Sequence, residues 1–342
     1  MDRPARRRAH RPTARGGGLS RLAVRARVER FAVAGAFTIA RGAKTHVEVI
    51  ACEAAADGLI GRGEGTPIYY RGETAAGGVA AIMAWAAQGT HADRQRLLEE
   101  MPPGAARNAL DCALWEFESR RRGEPVWRLA GLPAPRPIAT AFTISLGCPA
   151  EMAAAANSAA ARGFGLLKLK LGGDGRDAAR AEAVRRAAPA ARLIADANES
   201  WSGRDIVAEV ATLAVVGVEM VEQPLPAGAD AALVGIAAPL PLCADESCQT
   251  AGDLAGLAAR YRAVNLKLDK AGGLTAALQL AREARAQGFE LMLGCMLGTS
   301  RAVRFALPLA PLARWVDLDG PALLGADRPG GLRYEGGMIR PD

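Results

Sequence analysis

Lysine occurs only five times among the 43 lysines and arginines of this chain: Lys44, Lys168, Lys170, Lys267 and Lys270. Four of these lie in two tight pairs, each closing an apolar run, LLKLK and VNLKLDK. A guanidinium keeps its proton in a protein, whereas an amine can be tuned to release it. Lysines kept in this pattern are therefore candidates for proton exchange. Other apolar runs end in carboxylates, RLIAD at Asp196, VEMVE at Glu222 and PLCAD at Asp245. Three carboxylates brought together repel unless a cation joins them. All-oxygen ligation with open positions suits Mg²⁺. A substrate carboxylate on such a cation has an acidic α-carbon. Lysines on two sides of it could remove a proton from one face and return one to the other.

These residues need a scaffold that gathers strand ends. From about Ile138 short apolar runs recur: TAFTISLG, LLKLKLGG, RLIADAN, VEMVEQP, LPLCADES, AVNLKLDK, FELMLGC and RWVDLDGP. From Lys170 through Asp196, Glu222, Asp245, Lys267 and Gly294 to Asp317 the gaps are 26, 26, 23, 22, 27 and 23 residues. One strand, one helix and two loops need about that length, and the intervening stretches read as alanine-rich amphipathic helices. Eight strands with chemistry at their C-terminal ends favour a closed parallel α/β barrel over an open sheet. Lys168 and Lys170, two apart on one strand, then face the same side. Lys267, four strands further round, faces them from the opposite wall. Residues 21–136 read differently, as alternating antiparallel strands followed by helices, an α+β cap on the barrel mouth. The segment LPAPRP marks the linker, residues 137–320 the barrel, and residues 321–342 a tail returning to the cap.

The set Lys168-x-Lys170, Asp196-Ala-Asn198, Glu222-Gln223-Pro224, Asp245-Glu246-Ser247 and Lys267-x-x-Lys270-x-Gly272-Gly273 resembles the enolase superfamily, in its muconate-lactonising-enzyme subgroup. The likeness runs from about residue 22 to the end. It narrows to the dipeptide epimerases through FTIARG, AARNALDCALWE, DANESW, EQPLPA, CADESC, NLKLDKAGGLT, LMLGCMLGTSR and DLDGP. The resemblance implies an enolase-like modified TIM barrel, (β/α)₇β, with an N-terminal α+β capping domain. It implies Mg²⁺ on Asp196, Glu222 and Asp245, Lys170 and Lys267 as two bases, and Lys168 as an electrostatic aid. It implies that Asp317 and Asp319 hold a dipeptide's free ammonium and that Arg41 meets an acidic side chain. Thr143, Cys295 and Met296 would line the pocket. The activity implied is epimerisation of a dipeptide of the L-Ala-D/L-Glu kind at its C-terminal α-carbon, by two-base 1,1-proton transfer through a metal-stabilised enolate, in murein peptide recycling. Another reaction of the subgroup, cycloisomerisation or o-succinylbenzoate synthesis, is the alternative, and a non-catalytic binding barrel a remote one.

Composition narrows the remaining choices. The net charge of +7 resides in the first thirty residues, which hold ten arginines against Asp2 and Glu29. The basic tail, residues 1–20, reads as disordered, and no nucleic-acid or membrane partner is expected. Homo-oligomerisation is left open. Six scattered cysteines without a CxxC suit free thiols in a reducing cytoplasm. Three histidines, none near the motifs, argue against a histidine-ligated zinc or a Ser-His-Asp triad. Two glycine-rich stretches fit no nucleotide-binding pattern. GGDG reads as a strand-to-helix loop. GRGEG reads as a flexible lid loop beside Tyr69, Tyr70 and Arg71.

Overall fold

The computed structural model describes residues 21–89 and 93–341; the basic tail lies outside them. The first described stretch forms an antiparallel sheet of β1 (Ala23–Ile39), β2 (Gly42–Ala56) and β3 (Leu59–Gly65). Ile39 pairs with Gly42, so Arg41 sits at the tip of a two-residue hairpin turn. The next turn is Asp57-Gly58, both at positive φ, a turn whose twist suits a hairpin. Helices α1 (Ala75–Ala87), α2 (Arg94–Glu100) and α3 (Ala105–Arg122) cover this sheet.

The GRGEG stretch is not the flexible lid loop its composition suggests. It is β3, lying against α3. A Cβ on Gly61, Gly63 or Gly65 would come within about 2.1 Å of the carbonyl oxygens of Ala113, Ala109 and Ala105 respectively. Glycine at every second strand position matches alanine at every fourth helix position, and the two backbones touch. The alternate residues face the barrel. Glu64 accepts from Thr299 N (2.7 Å) and Thr299 Oγ1 (2.6 Å), and pairs with Arg328 (2.7 Å). Thr66 Oγ1 donates to Leu297 O (2.9 Å), and Thr66 N donates to Asp269 (2.8 Å).

After β4 (Ile138–Ala139) come eight parallel strands in sequential order: β5 (Ala141–Ile144), β6 (Leu166–Lys170), β7 (Arg192–Asp196), β8 (Val218–Glu222), β9 (Leu242–Ala244), β10 (Ala263–Leu266), β11 (Glu290–Gly294) and β12 (Trp315–Asp317). They form an enolase-like barrel with the cap at its mouth. β12 packs against β5, and the seam is sewn by Leu318 N donating to Thr140 Oγ1 (2.9 Å) and Thr143 N donating to Asp319 Oδ2 (2.7 Å). Helices follow most strands, at Pro149–Ala161, Asp177–Ala187, Ile206–Val215, Leu274–Ala286 and Ser300–Ala306. Between β8 and β9 there is only a 3₁₀ turn, Asp230–Leu233, and between β9 and β10 a 3₁₀ turn, Ala251–Asp253, running into one α-helical turn, Leu254–Leu257. Pro224, Pro226, Pro239 and Pro241 lie in the first of these connections, where missing donors disfavour a long helix.

The last strands, β13 (Arg333–Glu335) and β14 (Met338–Arg340), form a hairpin. The sequence places the final strand on the cap, whereas β14 adds to β4, below the barrel's first strand. Contact with the cap comes earlier, where Gly325 N donates to Ala32 O (2.8 Å). Among the described residues no helix is long and apolar enough to cross a membrane.

The barrel interior is layered by strand periodicity. Its lowest layer is Ala141, Leu166, Ile194, Met220, Cys243, Ala263, Met292 and Trp315, all buried against one another. Two residues further along each strand stand Thr143, Lys168, Asp196, Glu222, Asp245, Asn265, Gly294 and Asp317. A period of two puts this second ring on the same inner face, one step nearer the mouth. The apolar floor therefore carries the charged ring.

Candidate active site

Lys168 stands within the ring, its Nζ 2.7 Å from Glu222 Oε2, 2.9 Å from Asp317 Oδ2 and 3.2 Å from Asp196 Oδ2. Lys170 Nζ lies 2.6 Å from Asp196 Oδ2. Lys267, just past β10, lies 2.6 Å from Asp245 Oδ2. The two lysines belong to positions four strands apart in an eight-strand ring, and so come from opposite sides. Lys270 is wholly buried. Its Nζ pairs with Asp245 Oδ1 (2.6 Å) and donates to Asp245 O (2.5 Å) and Cys248 O (2.8 Å), fixing the turn that carries Asp245. Asn265, unremarked in the sequence, donates to Glu222 Oε1 (2.7 Å). It fits there because Gly294 has no Cβ, which would stand 2.5 Å from Asn265 Oδ1. Its place at an inner-face position of VNLKL is the signal that could have found it.

Among the protein's own charged groups, Lys168 and Lys267 are held well above their ordinary range. Burial pulls both down, but the carboxylates outweigh it: Asp317 and then Glu222 for Lys168, Asp245 and then Glu222 for Lys267. Burial raises Asp196 and Asp245, but their lysine neighbours hold both carboxyls below the usual range. Glu222 differs: burial, then the charge of Asp196, pushes it up to about 7. Asp319 is likewise pushed up to about 7 by burial and then by Asp317.

Among the described residues no three His, Cys, Asp or Glu side chains are gathered as a ready metal cage; the carboxylates turn to lysines instead. The donor set nevertheless fits a hard cation. Asp196, Glu222, Asp245, Glu246, Asp317 and Asp319 outnumber Lys168, Lys170, Lys267 and Lys270, and all are buried. Glu222 Oε2 and Asp245 Oδ1 have ammonium groups nearby but accept no aligned hydrogen bond, and Asp317 Oδ1 and Glu246 Oε2 also accept none. A site with spare buried oxygens and an unwilling carboxyl is short of positive charge.

Above the ring is a cavity of about 240 Å³. Lys168, Lys170, Asp245, Lys267, Asp317 and Asp319 line it from the barrel. Thr143, Cys295 and Met296 also reach it, whereas Asp196 and Glu222 lie wholly covered beneath. The cap contributes Arg41, Lys44, Tyr69 and Tyr70; Arg71 is exposed and does not line it. Arg41 is tied down. Its Nη2 lies 2.5 Å from Glu246 Oε1 and its Nη1 2.7 Å from Glu199 Oε2. Nη1 also donates to Asn198 O (3.2 Å), and Nε to Tyr69 Oη (3.2 Å).

A barrel with lysines and carboxylates on successive strand ends beneath an α+β lid defines an enolase-type enzyme. Residues 22–131 match the mandelate racemase/muconate lactonizing enzyme N-terminal domain, and residues 151–342 the enolase C-terminal domain-like family. The chain is 47% identical over 304 residues to L-Ala-D/L-Glu epimerase of Escherichia coli K12, covering 89% of this chain and 94% of that one. Among solved structures, an enolase family member from Agrobacterium tumefaciens with homology to dipeptide epimerases, with bound sodium and L-Ala-L-Glu, superposes with a TM-score of 0.89. It is 46% identical, covering 94% of this chain and 98% of that one. The dipeptide epimerase of Enterococcus faecalis V583, complexed with Mg and L-Leu-L-Tyr, gives 0.87 at 28% identity, covering 95% and 97%. The chain belongs to the enolase superfamily, in the mandelate racemase/muconate lactonizing group. It is an isomerase acting on amino-acid derivatives, a racemase or epimerase.

Proposed function

We propose that this isomerase is a Mg²⁺-dependent dipeptide epimerase of the L-Ala-D/L-Glu type, inverting the α-carbon of the C-terminal residue by 1,1-proton transfer. One observation carries the reading: Lys170 and Lys267, four strands apart, reach one cavity from opposite sides, each beside its own carboxylate. One of the two, as the free amine, takes the α-proton. The other, as the ammonium, gives a proton to the opposite face. The proton count balances, and the stereocentre is inverted. Asp196, Glu222 and Asp245 are the residues that would hold Mg²⁺. The ion would supply positive charge for the substrate's terminal carboxylate and relieve the carboxylates that now stabilise the lysine ammoniums.

Lys168, already between Glu222 and Asp317, keeps positive charge next to that carboxylate. Asp317 and Asp319 accept the dipeptide's free ammonium, which would satisfy Asp317 Oδ1 and let Asp319 ionise. Thr143, Cys295 and Met296 wall the cavity. Arg41 and Lys44 put positive charge on the cap side, suiting an acidic side chain. A dipeptide of that kind arises when cell-wall peptides are broken down, so the place we assign is murein peptide recycling. The test is incubation of one epimer with Mg²⁺ in D₂O. Deuterium is expected at the α-carbon of the C-terminal residue of both epimers. A folded, Mg²⁺-supplied enzyme that incorporates none at any dipeptide tried would overturn the reading.

A further inference from the structure

Two cations stand on the cap side of the cavity, and they are in opposite circumstances. Arg41 is occupied by Glu246, Glu199, the Asn198 carbonyl and the Tyr69 hydroxyl. A substrate carboxylate could bind it only by displacing an anion already in place. Lys44 lies three residues further along the same hairpin and lines the same cavity. It is partly buried, and no carboxylate or other acceptor among the described residues holds it. Its ammonium rests 3.7 Å from the centre of the Tyr69 ring, a contact that fixes its position without neutralising it. Burial, and then the charge of Arg41, draw its pKa down, so the site lacks an anion rather than a cation.

We infer that Lys44, and not Arg41, is the specificity-determining cation that receives the carboxylate of an acidic substrate side chain. The inference rests on the proposed dipeptide epimerase activity and deepens it. The cavity then offers three charged poles to a three-charge ligand. Asp317 and Asp319 face the amine, the ring around Asp245 faces the terminal carboxylate, and Lys44 faces the side chain. Arg41 becomes the tie between the hairpin tip and the barrel turns that bear Glu199 and Glu246, holding Lys44 and Tyr69 in place.

The experiment measures α-proton exchange in D₂O with L-Ala-L-Glu and with its neutral isostere L-Ala-L-Gln. The wild-type enzyme is expected to favour the glutamate dipeptide. Lys44→Met should lower the ratio of the two kcat/KM values by about 30-fold, the worth of one charge-assisted contact, chiefly through KM. Lys44→Arg should restore most of the ratio, and Lys44→Glu should move preference to L-Ala-L-Lys. Arg41→Met should slow both substrates alike, with their ratio little changed. A ratio unmoved by Lys44→Met, or one that collapses in Arg41→Met instead, overturns the assignment to Lys44. Loss of exchange with every dipeptide in the wild-type enzyme overturns the epimerase reading and this inference together.

Discussion

The ring inside the barrel and the rim supplied by the cap handle charge in opposite ways. In the ring and just above it every group sits on a strand or one residue past it, wholly or almost wholly buried, and carboxylates pair with lysines at 2.6–3.2 Å. On the rim the charged and aromatic groups sit on turns or just beside one, and are partly exposed. Arg41 retains 24% of its side-chain exposure, and Tyr69 and Tyr70 pack edge-on with ring centres 5.4 Å apart. Positions on rigid strands suit proton transfer, where small displacements are costly. Positions on turns suit selection, because a turn can change without disturbing the floor beneath it. In the proposed reading, the molecule separates what it does from whom it admits.

Breaking the ring should cost most. Lys170→Ala or Lys267→Ala is expected to lower epimerisation by at least about 10³-fold, while each retains some exchange from one epimer. Epimerisation followed by polarimetry and exchange followed by NMR check this, and full activity in either variant refutes the two-base assignment. A second change disturbs the ring without touching a charge. Gly294→Ala pushes a methyl towards Asn265 and so away from Glu222. The Mg²⁺ concentration for half-maximal activity should rise about 10–100-fold, as when a ligand loses its orienting partner.

Two further changes act where the cap meets the barrel. Gly63→Ala drives a methyl into the backbone of α3. Urea denaturation should show a loss of about 1–3 kcal/mol, with the ratio of glutamate to glutamine dipeptide turnover unchanged. The last change concerns Asp269, which accepts from Thr66 N and Asn108 Nδ2 (each 2.8 Å). Burial pushes its carboxyl up to about 7 from 3.8. A raised carboxyl stabilises the fold while protonated, below about pH 4, and that contribution is lost as pH rises through about 7. Asp269→Asn keeps the acceptor and removes the ionisation, so the variant should gain on wild type between pH 4 and pH 8 in urea midpoints. A constant difference across that range would show that burial does not govern this group.

The ring was legible in the chain because two periods converge there. Residues two apart share a strand face, and units 22–27 residues apart bring strand ends to one mouth. Hence Lys168, Lys170, Asp196, Glu222, Asp245, Lys267 and Asp317 fall together. Asn265 obeys the same rule but carries no charge to advertise it. Glu199 and Glu246 escape because their partner, Arg41, is more than 150 residues away on another sheet. The direction of the lysine shifts depends on how many carboxylates crowd each amine, which strand order alone does not tell. Gly61, Gly63 and Gly65 mislead for a different reason. Composition reads such a stretch as loose, and only the closeness of α3 shows that the missing side chains are a packing requirement.

That stripe of glycines makes β3 a two-sided shim. Its bare face admits the cap's longest helix, while Glu64 and Thr66 on its other face clasp the barrel at Thr299 and Leu297. Sliding the strand by one residue would present side chains to the helix and glycines to the clasp, so no neighbouring register is habitable. The height of the canopy above the floor is thereby set by a ruler with a single graduation. Accommodating a longer or bulkier guest must be accomplished by remodelling the hairpin tip and the tyrosine turn, since tilting the roof as a whole would break both faces of the shim at once.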